Sequence, residues 1–189
     1  VGRKQNVNFY GGKLYPNVDY YNFDTSDLKS TITLNKNDGT GSTTSVSSQS
    51  WNAAMKSATM PTRTGYTFNG YYNATSGGDQ YYTSTGASAR NWDYIGARTL
   101  YAQWTANTYT VTFDKQDGTG GTDSYSQAYG TAMGIVTVPT KTGFTFLGYF
   151  DATTGGTKYI NADGTSAKNW DKATATTLYA QWTAKTYIV

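Results

Sequence analysis

Apolar and polar residues alternate strictly over Tyr109-Thr110-Val111-Thr112-Phe113, which predicts a strand with Tyr109, Val111 and Phe113 on one face. Phe144–Phe150 reads the same way, with Phe144, Phe146, Gly148 and Phe150 sharing a face. Leu178-Tyr179-Ala180-Gln181-Trp182 predicts a closing strand with Leu178, Ala180 and Trp182 inward. Between them, Asp117-Gly118 through Gly121 supplies the positive φ values of a hairpin whose returning strand is Ser124–Gln127, and Gly155-Gly156 turns the chain toward Lys158-Tyr159. Helical periodicity is scarce. Trp51 and Met55 would suit two turns over Ser50–Ser57, but the matching later stretch carries Gly130 and Gly134 and reads as a loop or short turn. Ser88–Trp92 and Ser166–Trp170 each allow one helical turn at most, dropping a Trp onto the sheet.

The strands come twice. Pro61-Thr62-Arg63-Thr64-Gly65-Tyr66-Thr67-Phe68-Asn69-Gly70-Tyr71-Tyr72 recurs from Pro139 to Phe150, and the offsets 139 − 61, 170 − 92 and 182 − 104 are all 78. A fixed period of this length marks tandem small domains. The first turn is out of step, since 117 − 38 is 79, so one residue was gained or lost before Trp51. Such changes concentrate in loops, so the stretch between Gly41 and Trp51 is expected to be a surface connection. The boundaries that follow are an aromatic-rich N-terminal segment 1–29, ending a preceding domain or capping the array, repeat 1 at 30–107, repeat 2 at 108–185, and the start of a further repeat at 186–189. Only Thr105–Thr108 separates Trp104 from Tyr109, too short a link to act as a free tether, so a semi-rigid array is expected.

Certain residues of the second copy carry a family resemblance: the opening Tyr109-Thr110-Val111-Thr112-Phe113-Asp114, Pro139, Gly143-Phe144-Thr145-Phe146-Leu147-Gly148-Tyr149, Gly155-Gly156 and Leu178-Tyr179-Ala180-Gln181-Trp182. The first copy carries Pro61, Gly65–Tyr71 and Leu100-Tyr101-Ala102-Gln103-Trp104. These residues resemble the Listeria–Bacteroides repeat, similar to the B repeat of internalin-type surface proteins. The resemblance implies a mainly β fold, with two tandem small β-grasp-like (ubiquitin-like) domains containing little helix. It also implies a non-catalytic place in a bacterial surface or secreted protein. Two departures stand out: the family often has Trp where this chain has Tyr71 and Tyr149, and these modules carry extra residues around Trp92 and Trp170.

Composition narrows the chemistry further. The chain of 189 residues has no His and no Cys, and all 12 acidic residues are Asp, which removes the usual general bases, thiolates and zinc ligands. No enzyme activity, cofactor or metal site is expected. Asn35–Gly39 and Asp114–Gly118 resemble a calcium loop, but the glycine falls one place early and no Glu closes it, so a hairpin turn is the better reading. Asn73-Ala74-Thr75 fits a glycosylation acceptor, yet Asp151 stands at the matching place. A net charge of +3 without a basic run gives no nucleic-acid footprint, and no apolar stretch approaches the ~18 residues that span a bilayer.

Aromatics make up 16% of the chain, enough for either a core or a sugar-stacking surface. Alternation puts Phe68, Phe146, Trp104 and Trp182 inward. It puts Tyr71 and Tyr149 on the opposite face, either packing across strands or serving as the ligand-binding candidates. An intramolecular Lys–Asn isopeptide bond would offset the missing disulfides, but no residue triplet for it stands out. Two functions follow. One is a semi-rigid stalk or spacer of an extracellular bacterial surface or cell-wall protein, supporting adhesion, with neighbouring repeats as its partners. The other is a module recognising a host or environmental glycan or protein through exposed aromatics.

Overall fold

The computed structural model describes residues 9–10, 13–14 and 28–187. The expectations for segment 1–29 and for the last two residues therefore fall largely outside the described residues; within the first segment, β1 (Phe9–Tyr10) pairs antiparallel with β2 (Lys13–Leu14). Among the described residues there is no helix. The chain divides into two compact units, 1–63 with 68–105, and 64–67 with 106–189.

The first unit holds β3 (Lys29–Asn35), β4 (Thr43–Ser50), β5 (Tyr66–Tyr72, whose first two residues cluster with the second unit), β6 (Gln80–Thr83) and β7 (Arg98–Ala106). Their sheet order is β4-β3-β7-β5-β6, with β3 and β7 parallel. The second unit repeats this plan with β8 (Thr108–Asp114), β9 (Ser124–Ala128), β10 (Phe144–Phe150), β11 (Lys158–Ile160) and β12 (Thr176–Ala184), in the order β11-β10-β12-β8-β9 and with β8 parallel to β12. Alternation explains the parallel central pair: Val111, Phe113, Leu178 and Ala180 are all buried, as are Ile32, Leu34, Leu100 and Ala102.

The two expected helical turns are not formed. Ser88 and Asn91 instead make single β-bridges to Tyr82 and Ala54, and Ser166 and Asn169 to Ile160 and Ala132. The tryptophans still reach the sheet. Backbone bonds Trp92 N–H to Ala53 O (2.9 Å) and Trp170 N–H to Thr131 O (2.9 Å) seat each indole in its core, edge-on to Tyr81 or Tyr159 at 5.3 Å. Buried Gln49 and Gln127 hold the loop opposite. Gln49 donates to Ala54 O (3.0 Å) and accepts from Lys56 N–H (2.8 Å), while Gln127 donates to Ala132 O (3.0 Å) and accepts from Gly134 N–H (3.3 Å). A polar side chain thus satisfies loop backbone that no helix satisfies.

The extra residue of the first copy does not sit in a loop. Thr43–Ser50 is a strand, and its register jumps from Ile32↔Val46 to Ser30↔Gln49, with Ser48 at φ 55°. The matching pair β8–β9 runs without interruption from Thr108↔Ala128 to Thr112↔Ser124. The insertion is a β-bulge on an edge strand, where one additional residue is absorbed by a local bend.

Candidate functional site

Tyr71 and Tyr149, expected on an outer face, lie inside: they are 2% and 0% exposed. The physical reason is a second bulge. On β10, Phe146 pairs with Trp182 but Gly148 pairs with Gln181, so one residue, Leu147, is extra and the alternation changes phase there. Phe146 and Tyr149 then share the inner face, edge-on at 5.1 Å, and Phe68 and Tyr71 do the same at 5.3 Å. Glycine is required at the bend. Gly148 and Gly70 have φ of 132° and 140°, and a Cβ would stand 2.3 Å from the carbonyl oxygens of Ile160 and Tyr82 respectively. Phe144, expected inward, is instead 37% exposed. Burial pushes the Tyr71 and Tyr149 hydroxyls up to about 12, and the Tyr149 hydroxyl meets no hydrogen-bond partner. Neither ring presents a surface for stacking on a ligand.

The repeated Leu-Tyr-Ala-Gln-Trp of the closing strand is a set of fastenings. Leu100, Ala102, Leu178 and Ala180 are core residues. The Gln103 amide donates to Ala74 O (3.1 Å) and Gly77 O (2.7 Å), and that of Gln181 to Ala152 O (3.0 Å) and Gly155 O (2.7 Å), so each clamps the glycine-rich turn after the bulged strand. Trp104 and Trp182, expected inward, are half-buried against the core, and their indole N–H groups donate to Lys36 O (2.8 Å) and Lys115 O (3.1 Å) at the first hairpin. Those hairpins are Asx turns: Asn37 N–H donates to Asn35 Oδ1 and Gln116 N–H to Asp114 Oδ1. Of the acidic positions that resembled calcium ligands, Asp38 accepts from Thr40 N–H and Asp114 from Gln116 N–H, while Asp117 faces the Lys141 ammonium at 3.5 Å, and among the described residues no cluster of three carboxylates forms.

A tyrosine–carboxylate cluster also recurs, and comparing the two copies at their period would have found it. Tyr81 donates to Asp93, which Arg90 joins at 3.1 Å while also bridging Asp79 at 3.0 Å. In the second copy Tyr159 donates to Asp171, which Lys168 joins. Burial and the adjacent carboxylate push Tyr81 far above its ordinary range and Tyr159 up to about 12, so both remain donors. Beside this cluster the copies diverge in step. Asn73 donates to the Tyr94 hydroxyl (3.2 Å), whereas Asp151 pairs with Lys172 (2.9 Å). Thr157 N–H and Lys172 hold Asp151 below the usual carboxylate range, and Asp151 raises Lys172 in turn. Both directions favour the charged pair. Asn73 Oδ1 meanwhile accepts from Asp79 N–H (2.8 Å), which commits the potential glycosylation side chain to its own turn.

One difference between the units concerns an apolar groove. In the second, Thr119 and Thr140 exchange backbone bonds and Thr122 N–H donates to Thr137 O (3.0 Å), tying the first hairpin to the chain before Pro139. In the first, a groove of about 150 Å³ lined by Leu34, Lys36, Met60, Pro61 and Tyr71 lies at the matching place.

A family model described as the Listeria-Bacteroides repeat domain matches residues 31–103 and again 109–181. Internalin H of Listeria monocytogenes is 40% identical over 134 residues, 70% of this chain and 22% of that protein. A putative membrane protein of Evansella cellulosilytica is 28% identical over 145 residues (71% of this chain, 18% of that protein). A putative Gly-rich membrane protein of the same organism is 32% identical over 133 residues (67% and 15%). The chain thus spans no more than 22% of the length of these relatives.

Proposed function

The chain belongs to the Listeria-Bacteroides repeat domain family, and from that premise we propose that it is a non-catalytic, semi-rigid stalk or spacer in an extracellular protein of the bacterial surface or cell wall. The observation that carries this reading is the junction: β7 ends at Ala106 and β8 begins at Thr108, so Asn107 alone joins two copies of one module. We take the modules as 30–107 and 108–185. Their strand order, second-first-fifth-third-fourth with the first and fifth parallel, supports a β-grasp plan in which a glutamine-held loop stands where a crossover helix would be. The shared pairs Gln103 and Gln181, Trp104 and Trp182, and Tyr81 and Tyr159 are engaged in building the module, which supports a role without catalysis. Surface location is favoured by the likeness to an internalin and to proteins named as membrane proteins.

Reach is the property a spacer supplies. With a reporter binding domain fused before the chain and a wall anchor after it, capture of a target held at a fixed distance from a Gram-positive cell should improve as copies of residues 108–185 are added. Capture that is independent of copy number would sink the proposal. The alternative, recognition of a host or environmental glycan or protein through exposed aromatics, has lost Tyr71 and Tyr149, the residues on which it rested. Glycan-array binding by this chain would reopen it on other residues.

A further inference from the structure

The second compact unit includes residues 64–67 together with 106–189. Within it, Gly65 lies flat on a ring: a Cβ there would stand 2.2 Å from Tyr129 Cγ, closer than any side chain tolerates. Tyr66 meets the same ring edge-on at 5.6 Å, and a Cβ on Gly130 would stand 2.6 Å from the Tyr66 hydroxyl. Asn107 fastens the two parts. Its N–H donates to Gly65 O (2.9 Å), its carbonyl accepts from Tyr129 N–H (2.9 Å), and its side-chain oxygen accepts from Thr67 (2.6 Å). The contact needs glycine at both closest approaches, one ring on each side and a single hinge residue.

One period on, half of this contact is already built. Gly143 has the same φ of 78° as Gly65, and Lys185 N–H donates to Gly143 O at 2.8 Å, as Asn107 N–H does to Gly65 O. Phe144 replaces Tyr66 and is 37% exposed, with the Lys141 ammonium 5.0 Å above it, and no heavy atom lies within 4 Å of where a Gly143 Cβ would be. An open glycine beside an exposed aromatic is the surface that Tyr129 covers at Gly65.

We propose that Gly143–Phe144 is a docking socket for a further copy of this module following Lys185, which seats its own counterpart of Tyr129–Gly130 there. The glycine–tyrosine contact then recurs once for each module added. The first module offers the matching corner as Trp51–Asn52, in which Asn52 adopts a φ of 53° where the second copy uses Gly130. Asn tolerates that conformation better than most residues.

This rests on reading the chain as part of an array, and the two are separable: modules joined without a lock still extend reach in the capture assay. The test is the Hα resonance of each glycine, because a proton held over a ring face moves upfield. In the chain as it stands, Gly65 Hα should lie upfield and return to its ordinary position in Tyr129→Leu, while Gly143 Hα is ordinary throughout. In a chain lengthened by a copy of residues 108–185 placed directly after Lys185, Gly143 Hα should move upfield as well. Replacing the added copy's counterpart of Tyr129 by Leu should restore it. An ordinary Gly65 shift in the unextended chain overturns the proposal, as does an added copy that leaves Gly143 unmoved or stays unfolded. A Gly143 shift that depends on concentration in the unextended chain would make the occupant a second chain and overturn the assignment to a following module.

Discussion

Substituting Gly148→Ala attacks the bend that turns Tyr149 into the core. Gly148 sits at φ 132°, a region L-residues rarely adopt, and forcing a side chain there costs about 1–3 kcal/mol. The added Cβ also stands 2.3 Å from the Ile160 carbonyl oxygen, a backbone atom of β11 that cannot swing aside as a side chain would. If the bulge flattens to relieve both, the phase of β10 reverts and Tyr149 leaves a site where it is now 0% exposed. Losing a large buried aromatic costs about 3–5 kcal/mol, and the partnerless Tyr149 hydroxyl favours the lower part of that range. Either route takes a large share of the ~4–12 kcal/mol expected for a module of this size. Gly155→Ala is the control: φ is 64° there, no atom lies within 4 Å of the new methyl, and the cost should be about 1–2 kcal/mol. Urea denaturation followed by amide NMR reads each unit separately. A Gly148→Ala midpoint equal to that of Gly155→Ala would refute the bulge as the cause of Tyr149 burial.

Gln181→Ala should cost about 1–3 kcal/mol by leaving Ala152 O and Gly155 O without their donor, and hydrogen exchange should quicken in residues 151–157 of the second unit only; unchanged exchange there would show that the turn holds itself. Folding holds Asp151 below its ordinary 3.8 through Thr157 N–H and Lys172, so this stability is present above pH 3.8 and disappears as the pH falls through the lower folded value. Asp151→Asn should accordingly flatten the acid limb of the second unit's stability curve, measured by urea melts from pH 6 to 2, and an unaltered limb would remove the ion pair from the account. Tyr71, Tyr82 and Tyr149 are pushed by burial from 10.0 to about 12, so stability is full below pH 10 and declines as the pH rises toward 12. The last part of the tyrosinate absorbance should then appear only with loss of the β circular dichroism signal, whereas ionisation of all 18 tyrosines in one step centred on pH 10 in a folded chain would contradict their burial.

Most strands are legible in the sequence because burial on one face imposes alternation. Tyr109–Phe113, Ser124–Gln127, Lys158-Tyr159 and Leu178–Trp182 each fall within an observed strand. The errors come from single residues that shift phase. Alternation carried across Gly70 and Gly148 places Tyr71 and Tyr149 outside, and only a positive φ at the glycine reverses them. A spacing of 79 instead of 78 looked like a loop because a count cannot distinguish a lengthened turn from a bulge such as that at Ser48. The clamp made by Gln103 and Gln181 and the Tyr81–Asp93 and Tyr159–Asp171 pairs were visible as identities between the copies. Their purpose emerges only from partners distant in the chain, such as Gly77 for Gln103.

A stalk must lengthen in proportion to its modules. Small-angle scattering on this chain, and on versions lengthened by one, two and three copies of residues 108–185, tests that directly. The maximum dimension should grow by the same step with each copy added. A step that shrinks with each addition, as in modules folding back on one another or tumbling independently, would contradict it.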